Sequence, residues 1–323
     1  MQRRGFLGAA ALGSMALGSA ALPQAATGQQ KNDEWSSAQS GAAFTIFQNA
    51  CMTLPYSGFT LDRAIEGIRK SGYKYIAWGV SHVDEAGTRQ ELLPVNANVS
   101  VARVLAARCR TVGMEPVMMF STVNFEEAGA ADAYKKRIDQ ASEADIRSII
   151  VFGKTTRGGY ADVVKNLQAA AKHAEGTKVK LLVKQHGGNT ATGQDCSQII
   201  AAVNHPSVKM CYDAGNVLDY ENHDPIPDIQ KCWRDIYGFS IKDHRNFPVD
   251  QDCGAGFGEI DHYRLLATVM RTGLTMPLAC ENLSEPLKPR PTDPEEIDRL
   301  ALRSRLYVET VLSGLQTHLS AKA

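Results

Sequence analysis

The chain has 323 residues, of which 44% are hydrophobic and 22% charged, and its 35 basic residues balance its 35 acidic ones. This length and composition supply enough apolar material for the core of one large domain. Because the balanced charge creates no global field that would attract a polyanion, the composition argues against nucleic acid as a partner.

The N-terminal segment has the pattern of an export signal. Arg3 and Arg4 precede an uncharged stretch, rich in Gly, Ala and Leu, that reaches Leu22. A charged start, an apolar stretch and a small-residue cleavage site are typical of a secretory signal, and the paired arginines resemble a twin-arginine signal. The apolar stretch of about 18 residues is near the lower limit for a membrane span, but its Gly, Ala and Ser make it only weakly apolar. We therefore expect a signal peptide over residues 1–26, a flexible linker over 27–42, and a periplasmic or secreted protein without a stable membrane anchor.

The seven cysteines are odd in number and occur without close pairs. They show neither the regular spacing of a disulfide framework nor the Cys and His spacing of a zinc site. We expect reduced cysteines, two of which (Cys211 and Cys280) lie inside predicted strands.

From Ala43 onward, short apolar runs alternate with amphipathic segments. The alternation recurs every 30 to 40 residues, roughly the period of repeated βα units. Apolar residues recur at spacings of three and four in the segments Thr60 to Lys70, Val99 to Thr111, Tyr134 to Ser142, Gly159 to His173 and Asp195 to Asn204, which predicts helices there. Gly72, Gly113 and Gly273 each follow a helical pattern, where a C-cap glycine belongs. Strands are predicted near Phe44 to Gln48, Tyr73 to Trp78, Glu115 to Phe120, Ser148 to Phe152, Val179 to Lys184, Val208 to Asp213, Tyr237 to Ile241 and Pro277 to Glu281.

The strand pattern favours a closed parallel barrel. Continuous apolar runs, such as Ile149 to Phe152, are typical of a parallel sheet that is covered on both faces. An open doubly wound sheet gives similar runs, but here eight units follow one another and polar residues cluster after several strands. We predict a single (β/α)8 TIM barrel over residues 43–323.

Ionisable and amide side chains follow each of the last four predicted strands. At the carboxyl ends of barrel strands such residues converge on one pocket, where neighbouring charges shift pKa values. Trp78 and His82, after the second strand, are further candidates for contact with a substrate, and Trp78 is suited to stacking on a sugar ring. The candidates after the last four strands are Lys184 and His186, Asp213 and Asn216, Lys242, Asp243 and His244, and Glu281.

Each of these candidates also has a purely structural explanation. Lys184 with Asp213 or Glu281 could form a buried ion pair. Lys242 with Asp243 could form a local pair at a strand end, and the histidines could bond loops or face solvent. An aromatic residue at a strand end, such as Trp78, is as often part of the core.

The order of these motifs, together with the segment from Gly254 to Asp261, resembles the sugar phosphate isomerase/epimerase family, which has a xylose isomerase-like barrel. The resemblance covers about Phe44 to Leu315. In members that isomerise or epimerise sugars, it implies a divalent metal held by Glu after strand five, Asp after strand six, His at strand seven and Glu after strand eight. This sequence has Lys184, Asp213, Ser240 and Glu281 at those positions.

Two of the four positions therefore depart from the family pattern. A lysine ammonium group has no lone pair, and a serine hydroxyl is a poor ligand for Mn²⁺ or Zn²⁺. We predict no cofactor, with Lys184 replacing the charge of the metal. If Mn, Mg or Zn does bind, the expected ligands are Asp213, Glu281 and His186.

The resemblance and the altered site imply three function classes. The first is an isomerase, epimerase or lyase that removes a proton from a sugar or keto-sugar, with proton transfer by Lys184, His186 and Glu281. The second is a non-catalytic sugar-binding barrel, and the third is a Schiff-base lyase or aldolase that uses Lys184 as its nucleophile. In the first class the substrate, a small unphosphorylated carbohydrate, contacts Asp213, Asn216, Lys242, Asp243, His244, Trp78 and His82. The sequence is compatible with a homo-oligomer.

Overall fold

The computed structural model describes residues 43–320, which lie in one compact unit. The predicted signal peptide and linker, residues 1–42, fall outside the described residues. Within residues 43–320, no helix combines the length and the apolar character that a membrane crossing requires.

Eight parallel strands close into a barrel, and each pairs with its neighbours in chain order while the eighth returns to the first. Helices connect successive strands, so the predicted (β/α)8 TIM barrel is confirmed. The strands, numbered one to eight here, are Ile46–Met52, Tyr75–Trp78, Glu115–Phe120, Ser148–Val151, Lys180–Lys184, Val208–Tyr212, Ile236–Ile241 and Thr275–Cys280.

The helices begin and end at residues whose chemistry is visible in the sequence. Thr60 caps the first helix by accepting a hydrogen bond from the Arg63 amide, and Thr192 and Asp195 form a capping box at the fifth. The glycines predicted at C-caps have positive φ, +82° at both Gly72 and Gly113. The α-helices are Leu61–Lys70, Val99–Thr111, Ala130–Glu143, Tyr160–His173, Gly193–Val203, Ala214–Glu221, Pro225–Cys232, His262–Ala267 and Pro294–Ser320.

The first strand lies further along the chain than predicted. It spans Ile46–Met52 instead of ending at Gln48. The polar pair Gln48 and Asn49 interrupts the apolar run, yet the backbone there pairs with strand eight, and from Ala50 onward also with strand two. Main-chain pairing on both sides, and not side-chain polarity, sets the end of this strand.

Two short antiparallel hairpins extend the carboxyl end of the barrel, and the sequence pattern did not predict them. Ser81–Val83 pairs with Arg89–Glu91 after strand two. Asp243–Arg245 pairs with Gln251–Cys253 after strand seven, in a register that sets His244 opposite Asp252. The second hairpin therefore adds side chains to the site described below.

Alternation along the strands places the candidate residues inside the barrel. Leu182, Cys211 and Ala279 belong to the interior cluster, whereas Leu181 and Val183 pack in the outer layer between strands and helices. Because side chains alternate between the two faces of a strand, the residue two positions beyond an interior residue also faces inward. Lys184, Asp213 and Glu281 each stand two positions beyond one of these three. The seven cysteines are free and buried.

Candidate active site

The centre of the site is an ammonium group between two carboxylates. Lys184 Nζ lies 2.7 Å from Glu281 Oε2 and 2.9 Å from Asp213 Oδ2. The side chain of Lys184 is 4% exposed, that of Glu281 15% and that of Asp213 0%. The Ser240 hydroxyl donates a hydrogen bond to the same oxygen of Glu281. Strands five and seven, and the positions directly after strands six and eight, thus each contribute one side chain to this cluster.

The electrostatics of the cluster keep Lys184 charged. Burial disfavours its ammonium form, but the charges of Asp213 and Glu281 outweigh burial and raise the pKa of Lys184 well above its usual range. The ring of Phe120, with its centroid 5.5 Å from Nζ, adds a cation–π contact. An amine that stays protonated can balance charge and donate hydrogen bonds, but it cannot attack a carbonyl carbon.

The two carboxylates of the cluster titrate differently. Burial raises the pKa of Asp213, and the charges of Lys184 and Lys242 only partly offset that effect. Burial also opposes ionisation of Glu281, but the charges of Lys184 and Lys242 and the hydrogen bonds from Lys184 and Ser240 lower its pKa from 4.5 to about 2. Because both carboxylates share one ammonium group, their protonation is coupled.

A divalent metal does not fit the four family positions. The Lys184 ammonium group already lies between the two carboxylates that would hold the ion, and Ser240 replaces the histidine ligand. His186, the expected substitute, has Nδ1 at 2.9 Å from the carbonyl oxygen of Gly153, and its ring packs against Phe152. Within residues 43–320, His186, Asp213 and Glu281 do not form a group of closely spaced ligand atoms.

A cavity of about 310 Å³ opens above this cluster. Of the predicted residues, Lys242 and Glu281 line it, whereas Lys184 contacts Glu281 from within the barrel. The side chain of Lys242 packs so closely on Gly215 that a Cβ there would lie 2.7 Å from Lys242 Cγ and Cε. The remaining lining residues are Leu54, Pro55, Asp252, Asn282, Leu283, Ser284, Arg290, Pro291, Ile297 and Leu300.

A second charged network lies on the hairpin after strand seven. Asp252 accepts a hydrogen bond from Lys242 Nζ, and its other oxygen lies 3.1 Å from His244 Nδ1. His244 Nε2 is 3.2 Å from an Asp250 oxygen, without the geometry of a hydrogen bond. Asp219, His244 and Asp250 are the one set of three potential metal ligands that residues 43–320 bring within 4.8 Å of one another. None of the three occupies a family metal position.

Asp243 and Asn216 support the loops around the site. The buried carboxylate of Asp243 accepts hydrogen bonds from the amides of His244, Gly256 and Ile260, at 2.9 to 3.0 Å. Asn216 donates from its side chain to the carbonyl oxygen of Gln185 and from its amide to Asp213. Neither side chain lines the cavity.

Trp78 and His82 are not brought to the cavity. Trp78 is 2% exposed and packs in the outer layer, because Ala77 takes the inward position on strand two. His82 lies in the first hairpin with Nδ1 at 3.1 Å from the carbonyl oxygen of Phe59. Burial lowers the pKa of His82, which favours its neutral ring.

Two charged residues that line the cavity were missed by the sequence reasoning, namely Asp252 and Arg290. Asp252 reaches the site through the antiparallel hairpin, whose short strands carry little hydrophobic pattern. Arg290 lies in the proline-rich connection between strand eight and the last helix. Arg290 could have been identified as a basic residue in a long loop after a barrel strand, because the active sites of such barrels are built from these loops.

Comparison with solved structures finds the same fold in other proteins. A D-allulose 3-epimerase from Methylomonas sp., solved with D-allulose, is 15% identical over 83% of this chain and 99% of its own, with a TM-score of 0.62. The IOLI protein, solved with a zinc atom, is 16% identical over 83% of this chain and 99% of its own, with a TM-score of 0.64. A xylose isomerase-like TIM barrel/4-hydroxyphenylpyruvate dioxygenase fusion protein is 18% identical over 86% of this chain (TM-score 0.66), and this chain spans 44% of its length.

No curated protein sequence matches the chain significantly. The profile of one family does match, over residues 65–303, which is most of the barrel. The chain therefore belongs to the xylose isomerase-like TIM barrel family.

Proposed function

We propose that the protein is a carbohydrate-active isomerase, epimerase or lyase that removes a proton next to the carbonyl group of a sugar or keto-sugar, without a divalent metal at the family positions. The observation that carries this proposal is the position of Lys184 Nζ, 2.7 Å from Glu281 and 2.9 Å from Asp213, where the family implies a metal ion. Membership of the family and the likeness to a D-allulose 3-epimerase support a sugar as the substrate.

Glu281 is the proposed proton acceptor, because it is the carboxylate of the central cluster that lines the cavity. Its carboxylate takes the proton from the carbon next to the carbonyl group, and the electron pair of the broken C–H bond moves onto the carbonyl oxygen. Lys242 lines the same cavity and stabilises the enediolate oxygen that forms. Return of the proton to the opposite face of the same carbon gives an epimer. Its return to the former carbonyl carbon, with a hydroxyl proton moving between the two oxygens, gives an isomer. Departure of a neighbouring group that takes the proton from Glu281 instead gives a lyase product and restores the carboxylate.

Lys184 is proposed to position and ionise Glu281. It contacts Glu281 from the barrel interior and, by its charge, lowers the pKa of that carboxyl group. The raised pKa of Lys184 favours this role over a Schiff-base mechanism, which needs a neutral amine. We further propose that the enzyme acts outside the cytoplasm, on unphosphorylated sugars.

The test is exchange of substrate hydrogen with solvent. The purified mature protein is incubated in D2O with aldoses, ketoses and keto-sugars, and deuterium at carbon is followed by NMR. We expect incorporation with wild type and with Glu66→Gln, an exposed control on the first helix, and none with Glu281→Gln. Binding of a sugar without exchange or turnover would identify a non-catalytic binding protein and overturn the proposal. Trapping of the chain by borohydride with a keto-sugar would instead indicate a Schiff base.

A further inference from the structure

The cavity contains one cation that the protein does not neutralise. Lys242 is paired with Asp252, and Glu281 with Lys184. Arg290 lines the same cavity, and within residues 43–320 no carboxylate lies within ion-pair distance of it. Among the charged residues that line the cavity, Arg290 is thus the one without an ion-pair partner in the described part of the chain.

The guanidinium group of Arg290 is held in place by main-chain atoms. Its Nη2 donates to the carbonyl oxygens of Leu54 and Pro55, at 3.0 and 2.6 Å, and lies 3.2 Å from the Ser57 hydroxyl. In the described part of the chain, Nη1 and Nε have no acceptor. A fixed arginine with free donors is suited to a planar oxyanion, because its donors match the two oxygens of a carboxylate.

The electrostatic surroundings also favour an anion. Burial and the nearby charge of Arg89 lower the pKa of Arg290, and in the described part of the chain no carboxylate pairs with its guanidinium group. A bound anion would supply that missing partner. Neutral groups suited to sugar carbons and hydroxyls complete the lining, among them Leu54, Asn282 and Ser284.

The size of the cavity limits what can carry the anion. A volume of about 310 Å³ lies at the lower end of the range for small-molecule sites. It suits a single sugar ring better than an oligosaccharide. Because Glu281 and Arg290 line this one cavity, a monosaccharide can reach both.

We infer that the substrate is a carboxylated monosaccharide, whose carboxylate binds Arg290 while the carbon that loses its proton faces Glu281. This inference rests on the proposed function and narrows it to sugar acids such as uronates and their keto forms. A phosphorylated sugar offers the same oxyanion chemistry, and the test below separates the two.

The experiment measures binding of three matched ligands by isothermal titration calorimetry: glucose, glucuronate and glucose 6-phosphate. Each is titrated into wild type, Arg290→Gln, Arg290→Lys and Arg89→Gln. We expect wild type to bind glucuronate at least about tenfold more tightly than glucose, as charge-assisted bidentate hydrogen bonds would give. Arg290→Gln should abolish that preference and leave glucose binding within about twofold, and Arg290→Lys should keep part of it because it retains the charge. Arg89→Gln, which alters a neighbouring arginine outside the cavity, should keep the preference.

The outcomes separate the two proposals. Equal binding of glucose and glucuronate, or an unchanged preference in Arg290→Gln, overturns the inference and leaves the proposed function standing. Tighter binding of glucose 6-phosphate than of glucuronate overturns the choice of a carboxylate. If none of the three ligands, nor any sugar of the exchange panel, binds to wild type, the proposed function itself fails. Thermal melts of each variant show whether a lost preference is due to unfolding.

Discussion

Replacing Lys184 with methionine removes the ammonium group between Asp213 and Glu281 and keeps most of the aliphatic stem. In wild type, Nζ is the charged group that faces Asp213 Oδ2, at 2.9 Å, and the Asp213 side chain is fully buried. The change therefore leaves a buried carboxylate without its nearest cation. The second carboxylate, Glu281, loses its 2.7 Å ion pair and keeps the hydrogen bond from Ser240.

The expected loss of stability is about 3 kcal/mol at pH 7, the lower end for a buried pair that has lost one partner. Lys242, whose charge acts on both carboxylates, limits the loss. Protonation of Asp213 limits the loss of stability further, because a neutral carboxyl group needs no cation beside it. Each unit by which the pKa of Asp213 rises corresponds to about 1.4 kcal/mol of destabilisation of the charged form. For a domain of this size the melting temperature should fall by roughly 6 °C.

The pH dependence of this loss has a definite sign. Without Lys184, the pKa of Asp213 in the folded state rises further above its unfolded value, so the folded state binds more protons than the unfolded state. Stability of the variant then increases as the pH falls toward that raised pKa. The gap between wild type and Lys184→Met should narrow from pH 7 to pH 5.

Thermal melts and deuterium exchange on four proteins test this reasoning. Lys184→Met should lose turnover, and Lys184→Met with Glu281→Gln should regain part of the stability but none of the turnover, because coupled charges are not additive. Lys180→Met is the matched control, because Lys180 lies on the same strand and its Nζ bonds only to the carbonyl oxygen of Pro206. Near-normal turnover of Lys184→Met would remove this lysine from the mechanism. Recovery of both stability and turnover in the double variant would indicate that the cluster is only a structural ion pair.

Three further predictions concern metal, acid stability and export. Elemental analysis of the dialysed mature protein should find less than one transition metal ion per chain, because Lys184 and Ser240 occupy two of the four family metal positions. Stoichiometric Mn or Zn, together with activity that a chelator abolishes, would contradict this prediction. The pKa of Glu281 is lowered to about 2 in the folded protein, so its ionisation contributes roughly 3 kcal/mol above pH 4.5 that is lost as the pH falls toward 2. In urea unfolding the stability gap between wild type and Glu281→Gln should shrink over that pH range, and a constant gap would refute the assigned shift. Replacing Arg3 and Arg4 with lysine should retain the precursor inside the cell, as fractionation would show, and normal export of the variant would exclude the twin-arginine route.

The sequence by itself predicted the fold and the position of the central cluster at the carboxyl ends of the strands. Apolar runs that recur with the period of βα units predicted eight parallel strands, because strand and helix periodicities arise from local backbone geometry. The two-residue alternation within strands carries Lys184, Asp213 and Glu281 to the inner face at the carboxyl ends. These features depend on residues that are near one another in the chain.

Only the tertiary structure decided which groups meet. Lys184 and Glu281 are 97 residues apart, and their contact depends on closure of the barrel. Asp252 and Arg290 reach the cavity from a hairpin and a loop, where side-chain direction follows irregular backbone dihedrals and no period predicts it. For the same reason Asp243, which the sequence placed in the site, turns its carboxylate toward the amides of its own loop.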